Sequence, residues 1–176
     1  LVSRKPAARL NEHLVPVFEM MRDEHALSKL GGKRSQAFAL IAYGEFSERE
    51  WHLFDRVIRP GMCVVEAGAN MGAHTVPIAK KIGRGGIVYA FEPQIAIFQQ
   101  LCANLALNDL VNVQAFNAGC GAASDWMGIV RPDPAKRSNF GGFRLENLRG
   151  GTQTRVRVER LDDALDPPKL HLIKAD

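Results

Sequence analysis

The chain has 176 residues, of which 46% are hydrophobic and 24% are charged, and its formal net charge is +4. These fractions are typical of one ordinary globular domain, and they exclude disordered and fibrous classes of protein. No stretch approaches the roughly 20 apolar residues that a membrane-spanning helix needs, so we expect no membrane partner. Cys63, Cys102 and Cys120 are too widely spaced to suggest a metal site or a disulfide framework, which makes the cytoplasm the default location.

The N-terminal part is predicted to be a helical extension that ends in a loop. Apolar residues recur at helical spacing after Pro16, and a loop around Tyr43 precedes the next helix. The aromatic residues of this loop could cover a ligand site as a lid, or anchor the helix in the core, and the sequence favours neither. A capping box that begins at Ser47 starts that helix. We therefore predict an extension over residues 1–46 and a main domain over 47–176.

The middle of the chain alternates strands and helices. An apolar run from Met62 predicts a buried strand, and a loop with glycines and a helix over 75–82 follow it. The pattern repeats with strands over 87–91 and 112–116, which are separated by a helix that ends at Asn108. Because helical connections join these strands, we expect right-handed crossovers and an α/β fold with a parallel sheet flanked by helices.

The last third of the chain breaks this rhythm. A strand over 126–130 is followed by a long loop over 131–151, and the alternation of residues 154–158 is typical of an edge strand. One helical turn then leads to residues 170–176, which are predicted to be a fourth core strand. A sheet of this kind is unusual with its fourth strand at the end of the chain. We therefore expect a domain truncated after that strand, with further residues after Asp176 in the parent protein.

Acidic residues and glycines lie where the first strand of this sheet ends. Glycine is expected at Gly68 and Gly72 because a ligand must approach the backbone closely there. A dinucleotide site would have its middle glycine at Asn70, and Glu66 at the entrance of the loop opposes a pyrophosphate. The Glu66 carboxylate instead suits a ligand with an amino group and a positive sulfonium. The pattern therefore favours S-adenosylmethionine over NAD, and a nicotinamide dehydrogenase is the disfavoured alternative.

The ends of the second and third strands complete the predicted cofactor site. Glu92 follows the second strand, where a carboxylate can accept both hydroxyl groups of a ribose. Asn117 and Ala118 end the third strand on the same edge of the sheet, where an adenine would lie. The plainer alternative is that the acids are surface groups and the glycines only form turns.

Several segments resemble the FkbM family of methyltransferases. The most specific are Gly-Ala-Asn-Met-Gly at 68–72 and Phe-Glu-Pro at 91–93, and the similarity includes 101–108 and 172–176. Over about residues 43–176, the resemblance implies a class I, Rossmann-like fold that uses S-adenosylmethionine, often for O-methylation of sugars, polyketides or other small molecules. Family members usually continue the last strand into Val-Glu-Gly, which this sequence lacks. The predicted cofactor-binding residues are Glu66, Gly68, Ala69, Asn70, Gly72, Thr75, Glu92, Pro93, Asn117 and Ala118.

The reaction that the resemblance implies is an in-line displacement at a methyl carbon, for which the protein supplies alignment and desolvation. A hydroxyl acceptor also needs a general base. The candidate catalytic residues are Asp176, at the end of a strand, and His74, beside the cofactor loop, although His74 could simply bond the backbone at the start of its helix. The sequence predicts no set of metal ligands.

The acceptor side is predicted from loops. Polar, aromatic and glycine residues follow one another at 139–141 and suit a substrate lid or an ordinary flexible loop. Residues 131–160 carry eight Lys or Arg against three acids, which favours an anionic small-molecule or sugar acceptor, or only a solvated surface. Aromatic residues are not interleaved with these cations, so nucleic acid is not expected. The predicted substrate-binding residues are Tyr43, Asn139, Phe140 and Gly141.

A second hypothesis is a methyltransferase-like module that binds the cofactor, or another protein, without catalysing a reaction. Both hypotheses predict the same fold and the same cofactor loop. They differ only in whether an acceptor is methylated, which a binding measurement followed by an activity assay would decide.

Overall fold

The computed structural model describes residues 48–130, 145–148 and 153–175, which contain four helices and seven strands. The helices are α1 (Glu48–Val57), α2 (Thr75–Ile82), α3 (Ile95–Leu107) and α4 (Leu161–Ala164). The strands are β1 (Cys63–Ala67), β2 (Ile87–Phe91), β3 (Val113–Phe116), β4 (Gly119–Cys120), β5 (Asp125–Val130), β6 (Gln153–Glu159) and β7 (Leu172–Ala175). The predicted extension over 1–46 lies outside the described residues.

The helices of the α/β part lie where the sequence predicts them. α2 has the predicted bounds, and α1 ends before Pro60, which cannot continue a helix. The longest of these helices, α3, has 13 residues. Within the described ranges, no helix combines the length and the hydrophobicity that crossing a bilayer requires.

A four-stranded parallel sheet in the order β3–β2–β1–β7 forms the centre of the fold. β1 lies between β2 and β7, and Glu66 in β1 is level with Ala90 on one side and Lys174 on the other. Val64 and Val65 are fully buried because β1 has a strand on each edge and packing layers on both faces. The structure therefore confirms the predicted α/β class, the parallel sheet and the buried first strand.

The two faces of this sheet pack against different layers because successive side chains of a strand point to opposite sides. Val64 and Val88 belong to a core cluster that includes apolar side chains of α2 and α3. Val65 and Phe91 belong to a smaller cluster on the alternate positions, together with side chains of α4. Phe91 also stacks on Phe116 with ring centroids 4.5 Å apart. Both faces of the sheet's carboxyl end are therefore packed, which fixes the residues that follow each strand.

A second sheet of three strands has the order β4–β6–β5. β6 pairs in parallel with β4 and antiparallel with β5, so the prediction of an edge strand over 154–158 is wrong. The alternation that suggested an edge reflects the two faces of β6 instead. Val156 and Val158 are buried, whereas Arg155 and Arg157 are exposed. Alternation of apolar and polar residues indicates that one face of a strand is exposed. It does not indicate how many strands pair with that strand.

Candidate cofactor-binding site

The glycine loop, residues 68–72, joins β1 to α2 at the carboxyl end of the central sheet. Gly68, Asn70 and Gly72 have positive φ angles of 83°, 51° and 95°. Asparagine is one of the few residues other than glycine that enters this left-handed region readily. Its Oδ1 atom accepts a hydrogen bond from the Met71 amide at 2.8 Å. Asn70 thus gives the loop a left-handed residue at the position where a dinucleotide site would have its middle glycine.

Two features of the structure require glycine at position 72. Its φ angle favours glycine, and a Cβ atom there would lie 2.9 Å from the Cδ1 atom of Leu101 in α3. The buried Asn104, further along α3, donates a hydrogen bond from Nδ2 to the Met71 carbonyl at 2.6 Å. Gly72 therefore allows α3 to support the glycine loop closely, in addition to the ligand approach expected from the sequence.

Glu92 follows β2 and holds the glycine loop with its carboxylate. Its Oε2 atom accepts the Asn70 amide at 3.0 Å, and its Oε1 atom accepts the Gln94 amide at 2.8 Å. Glu92 is 3% exposed. This burial raises the pKa of Glu92, whereas the hydrogen bonds from Gln94 and Asn70 act to lower it. The Gln94 side chain donates a further hydrogen bond, and a carboxylate has roughly four acceptor positions, so about one remains for a further donor.

The end of β3 is tied to the same region. The Nδ2 atom of Asn117 donates to the carbonyls of Glu92 and Pro93, at 2.9 and 3.2 Å. Ala118 is 4% exposed and belongs to the cluster that contains Phe91. The structure therefore brings the predicted residues at the ends of β1, β2 and β3 to one edge of the sheet, where the glycine loop and Glu92 are bonded directly.

Glu66 is fully buried in β1, and two side chains hold its carboxylate. Its Oε2 atom accepts the Thr75 hydroxyl at 2.6 Å, and its Oε1 atom lies 3.2 Å from the Nζ atom of Lys174 in β7. The lysine side chain is 11% exposed and that of the glutamate 1%, so water is largely excluded from the pair. The positive charge of Lys174 balances Glu66. The charge argument drawn from the sequence considered Glu66 without this partner, and contact between Glu66 and the cofactor stays a prediction.

Lys174 is the site residue that the sequence prediction misses. It stands inside the apolar strand β7, in register with Glu66 on β1. Lysine is almost never buried without a partner, so a lysine in a predicted core strand signals an acid on a neighbouring strand. Thr75, which is expected to contact the cofactor, donates its hydroxyl to Glu66. This hydrogen bond connects the start of α2 with β1, on either side of the glycine loop.

His74 immediately precedes α2 and is 4% exposed. Its side chain makes no capping hydrogen bond to α2. The Nε2 atom instead lies 3.6 Å from the Oε2 atom of Glu50 in α1. The imidazole also meets Phe54 edge to face, with ring centroids 5.4 Å apart. His74 therefore contacts α1 from the start of α2.

Five predicted site residues lie outside the described residues, namely Tyr43, Asn139, Phe140, Gly141 and Asp176. Asp176 follows directly after β7 in the sequence. Within the described ranges, no three His, Cys, Asp or Glu side chains are grouped closely enough to hold a metal ion.

The three cysteines are free thiols. Burial raises the pKa of Cys63 and of Cys102. Burial and, to a smaller extent, the Glu159 carboxylate raise the pKa of Cys120 to about 11. None of them is therefore primed as a thiolate nucleophile at neutral pH.

Residues 66–176 match the profile of the methyltransferase FkbM domain, which is more than half of the chain. No curated protein matches the chain significantly. The match confirms the resemblance found in the sequence. It also confirms that the chain carries a domain of the methyltransferase class.

Solved structures are similar to parts of the chain. A SAM-dependent methyltransferase from Aquifex aeolicus is 18% identical, with a TM-score of 0.39, over 61% of this chain and 50% of that one. A SAM-dependent O-methyltransferase from Thermotoga maritima is 15% identical, with a TM-score of 0.41, over 50% of this chain and 37% of that one. The chain thus spans half or less of the length of these two proteins.

Proposed function

The chain belongs to the FkbM methyltransferase family, and from that premise we propose that it transfers a methyl group from S-adenosylmethionine to a hydroxyl group of a small molecule or sugar. The observation that carries the proposal is the Glu92 carboxylate. It is bonded to the glycine loop through Asn70 and keeps about one of its roughly four acceptor positions for the ribose hydroxyls. If Glu92 were only a surface acid beside a turn, we would expect it to be exposed and not hydrogen-bonded to that turn.

The described residues fit the parts of the cofactor one by one. We assign the ribose to Glu92 and the adenine to the region of Pro93, Asn117 and Ala118. The amino-acid end would lie along the glycine loop, including Ala69, where backbone groups rather than a free charge would bind it. The bound cofactor supplies an electrophilic methyl group on a positive sulfur. The protein aligns the acceptor with that methyl and excludes water.

Glu66, Thr75 and Lys174 position the glycine loop in this proposal. Lys174 balances the charge of Glu66 and the Thr75 hydroxyl donates to it, so we assign them no direct part in the reaction. Asp176 is the proposed general base because it follows β7 at the carboxyl edge of the sheet, next to β1. His74 is the weaker candidate, since its imidazole contacts Glu50 and Phe54 of α1.

The acceptor and the location are proposed from charge and from cysteine chemistry. The excess of Lys and Arg over residues 131–160 favours an acceptor with a negative charge. The free thiols suit a reducing compartment, which supports a cytoplasmic setting.

Two measurements test the proposed function. S-adenosylmethionine is first titrated calorimetrically into the folded protein, and the absence of binding would rule the proposal out. Tritium-labelled cofactor is then incubated with a panel of neutral and anionic sugars and other hydroxyl compounds. Transfer that is lost in Asp176→Asn, with cofactor binding retained, is the expected result. Binding without transfer to any hydroxyl would favour the non-catalytic module instead.

A further inference from the structure

A cavity of about 510 Å³ opens between the start of α3 and the second sheet. Its volume is within the range of small-molecule sites, which is about 300–1,000 Å³. Residues before and within the first turn of α3 form one wall, and strands β5 and β6 form the other. None of the residues of the glycine loop lines it. It shares Pro93 and Asn117 with the proposed adenine region, so it adjoins the adenine end of the cofactor site.

The second-sheet wall of this cavity presents an indole and two guanidinium groups. Trp126 on β5 and Arg157 on β6 are direct cross-strand neighbours, and Arg155 is two residues before Arg157 on the same face. The guanidinium carbon of Arg155 lies 4.4 Å from the centroid of the Trp126 ring. Arg157 pairs with Glu159, which orients its side chain. A stacked guanidinium keeps its planar set of N–H donors available to a carboxylate or phosphate.

The charge of the cavity is one-sided. Of the described residues that line it, two are arginines and none is acidic. At the start of α3 the Glu92 carboxylate accepts the Gln94 amide, and on β6 Glu159 balances Arg157. An anion would therefore meet positive charge mainly at Arg155, which is paired with no acid among the residues that line the cavity.

The remaining surface of the cavity is apolar. Ile129 and Val156 also border the cavity, but the register of β5 with β6 places them on the other face of the second sheet from Trp126. On the Trp126 side, the apolar contribution comes from Pro93 and from the half-exposed Ile95 at the start of α3. Together with the Trp126 ring, these side chains suit a flat apolar body rather than a strongly hydrated one such as a sugar.

We propose that this cavity binds a small molecule that joins a planar apolar ring to one anionic group, either a carboxylate or a phosphate. The ring packs on Trp126, Pro93 and Ile95, and the anionic group is held by Arg155, with Arg157 beside it. The proposal goes beyond the methyl-transfer function and does not depend on it.

The first test uses three probes of the same ring and different charge. 1-Naphthyl phosphate, 1-naphthoate and the neutral 1-naphthol are titrated calorimetrically into the protein, with and without saturating S-adenosylhomocysteine. Both anions are expected to bind at least about 10-fold more tightly than 1-naphthol, because charge-assisted hydrogen bonds are lost with the anionic group. The stronger of the two identifies carboxylate or phosphate as the preferred group.

Two outcomes of this experiment would overturn the proposal. One is equal affinity for 1-naphthol and the anions, which would mean that the cavity binds the apolar ring and does not recognise the anionic group. The other is displacement of the anions by S-adenosylhomocysteine, which would make the cavity part of the cofactor site. If the protein does not bind S-adenosylhomocysteine at all, the methyl-transfer proposal fails but the comparison of the three probes still stands.

Matched variants locate the binding. Arg155→Met removes the charge but keeps an unbranched side chain, and we expect it to weaken both anions about 10-fold while leaving 1-naphthol unchanged. Arg84→Met removes an equal charge from an exposed turn away from the cavity and should change nothing. Because the chain has two tryptophans, Trp51→Phe leaves Trp126 as the only indole reporter. Quenching of its fluorescence by the anions is expected, and equal weakening by both arginine variants would contradict the assignment.

Discussion

Two buried glutamates lie on neighbouring strands of the central sheet, and their surroundings differ. Glu66 on β1 meets a lysine and a hydroxyl side chain, so its charge is balanced within the protein. Glu92 after β2 meets two backbone amides and the Gln94 side chain, and it meets no cation within hydrogen-bonding distance among the described residues. One carboxylate is therefore neutralised by a cation within the protein, whereas the other is hydrogen-bonded but retains its negative charge and part of its acceptor capacity.

The two carboxylates therefore suit different roles: Glu66 supports the structure, and Glu92 is able to bind a ligand. A buried ion pair makes the joint between strands and helix specific, but little of its charge is left for a ligand. A buried carboxylate that is held only by amides is less stable in its charged form and is better placed to accept ligand hydroxyl groups. We therefore expect changes at the Glu66 end to act on stability, and changes at the Glu92 end to act on cofactor affinity.

The largest effect is expected from Lys174→Met. The substitution leaves the Glu66 charge buried and uncompensated, so the free energy of unfolding should fall by about 3–5 kcal/mol. Urea denaturation followed by circular dichroism measures it. The exposed Lys169→Met serves as the control and should change stability by no more than about 0.5 kcal/mol. The double variant Glu66→Gln with Lys174→Met should recover most of the loss, and a double variant as unstable as the single one would refute the pairing.

The next largest effect is expected from Glu92→Gln, and it concerns affinity. Replacing one carboxylate oxygen by an amide group removes a charged acceptor, so S-adenosylmethionine should bind about 10- to 100-fold more weakly. The stability cost should be only about 1 kcal/mol, because the substitution also removes a buried charge. Isothermal titration calorimetry and urea denaturation measure the two quantities. The exposed Glu146→Gln is the control, and an equal loss of affinity in both variants would argue against a ribose contact.

A smaller effect is expected from Thr75→Val, which removes the hydroxyl donor to Glu66 but keeps the shape of the side chain. One oxygen of a buried carboxylate loses its partner, so the free energy of unfolding should fall by about 1–3 kcal/mol. Cofactor affinity should stay within about 3-fold of the wild type, a change below about 1 kcal/mol. Thr75→Ser keeps the hydroxyl and should lose less stability than Thr75→Val. Equal destabilisation by the two would show that the hydroxyl is not what matters.

The smallest effect is expected from pH. Burial raises the pKa of Glu92 above its ordinary value of 4.5. Between 4.5 and the raised value, the folded protein retains a proton that the unfolded chain has lost, so stability should fall as the pH rises through this window. Cofactor affinity should rise through the same window, because the ribose hydroxyls need the charged carboxylate as an acceptor. Thermal melts and titrations between about pH 4 and pH 8 measure both trends, and Glu92→Gln should flatten them.

The sequence predicts the parallel sheet and the positions of the glycine loop and Glu92 well, because periodicity and turn residues are local signals. The glycine loop and Glu92 follow strands whose apolar runs are evident from the sequence alone. The role of Glu66 could not be predicted in the same way. Its partner Lys174 is more than a hundred positions away in the sequence, and only the register of β1 with β7 brings the two side chains together. The central position of β6 is missed for a related reason, since exposure of one face is a local pattern whereas neighbouring strands are not.

One titration tests the central distinction between the two glutamates most directly. S-adenosylhomocysteine is titrated into the wild type, into Glu92→Gln and into the double variant Glu66→Gln with Lys174→Met, each shown to be folded by circular dichroism. We predict an affinity loss of at least about 10-fold in Glu92→Gln and a change of less than about 3-fold in the double variant. The reverse pattern, with affinity lost in the double variant and kept in Glu92→Gln, would contradict the assignment of recognition to Glu92.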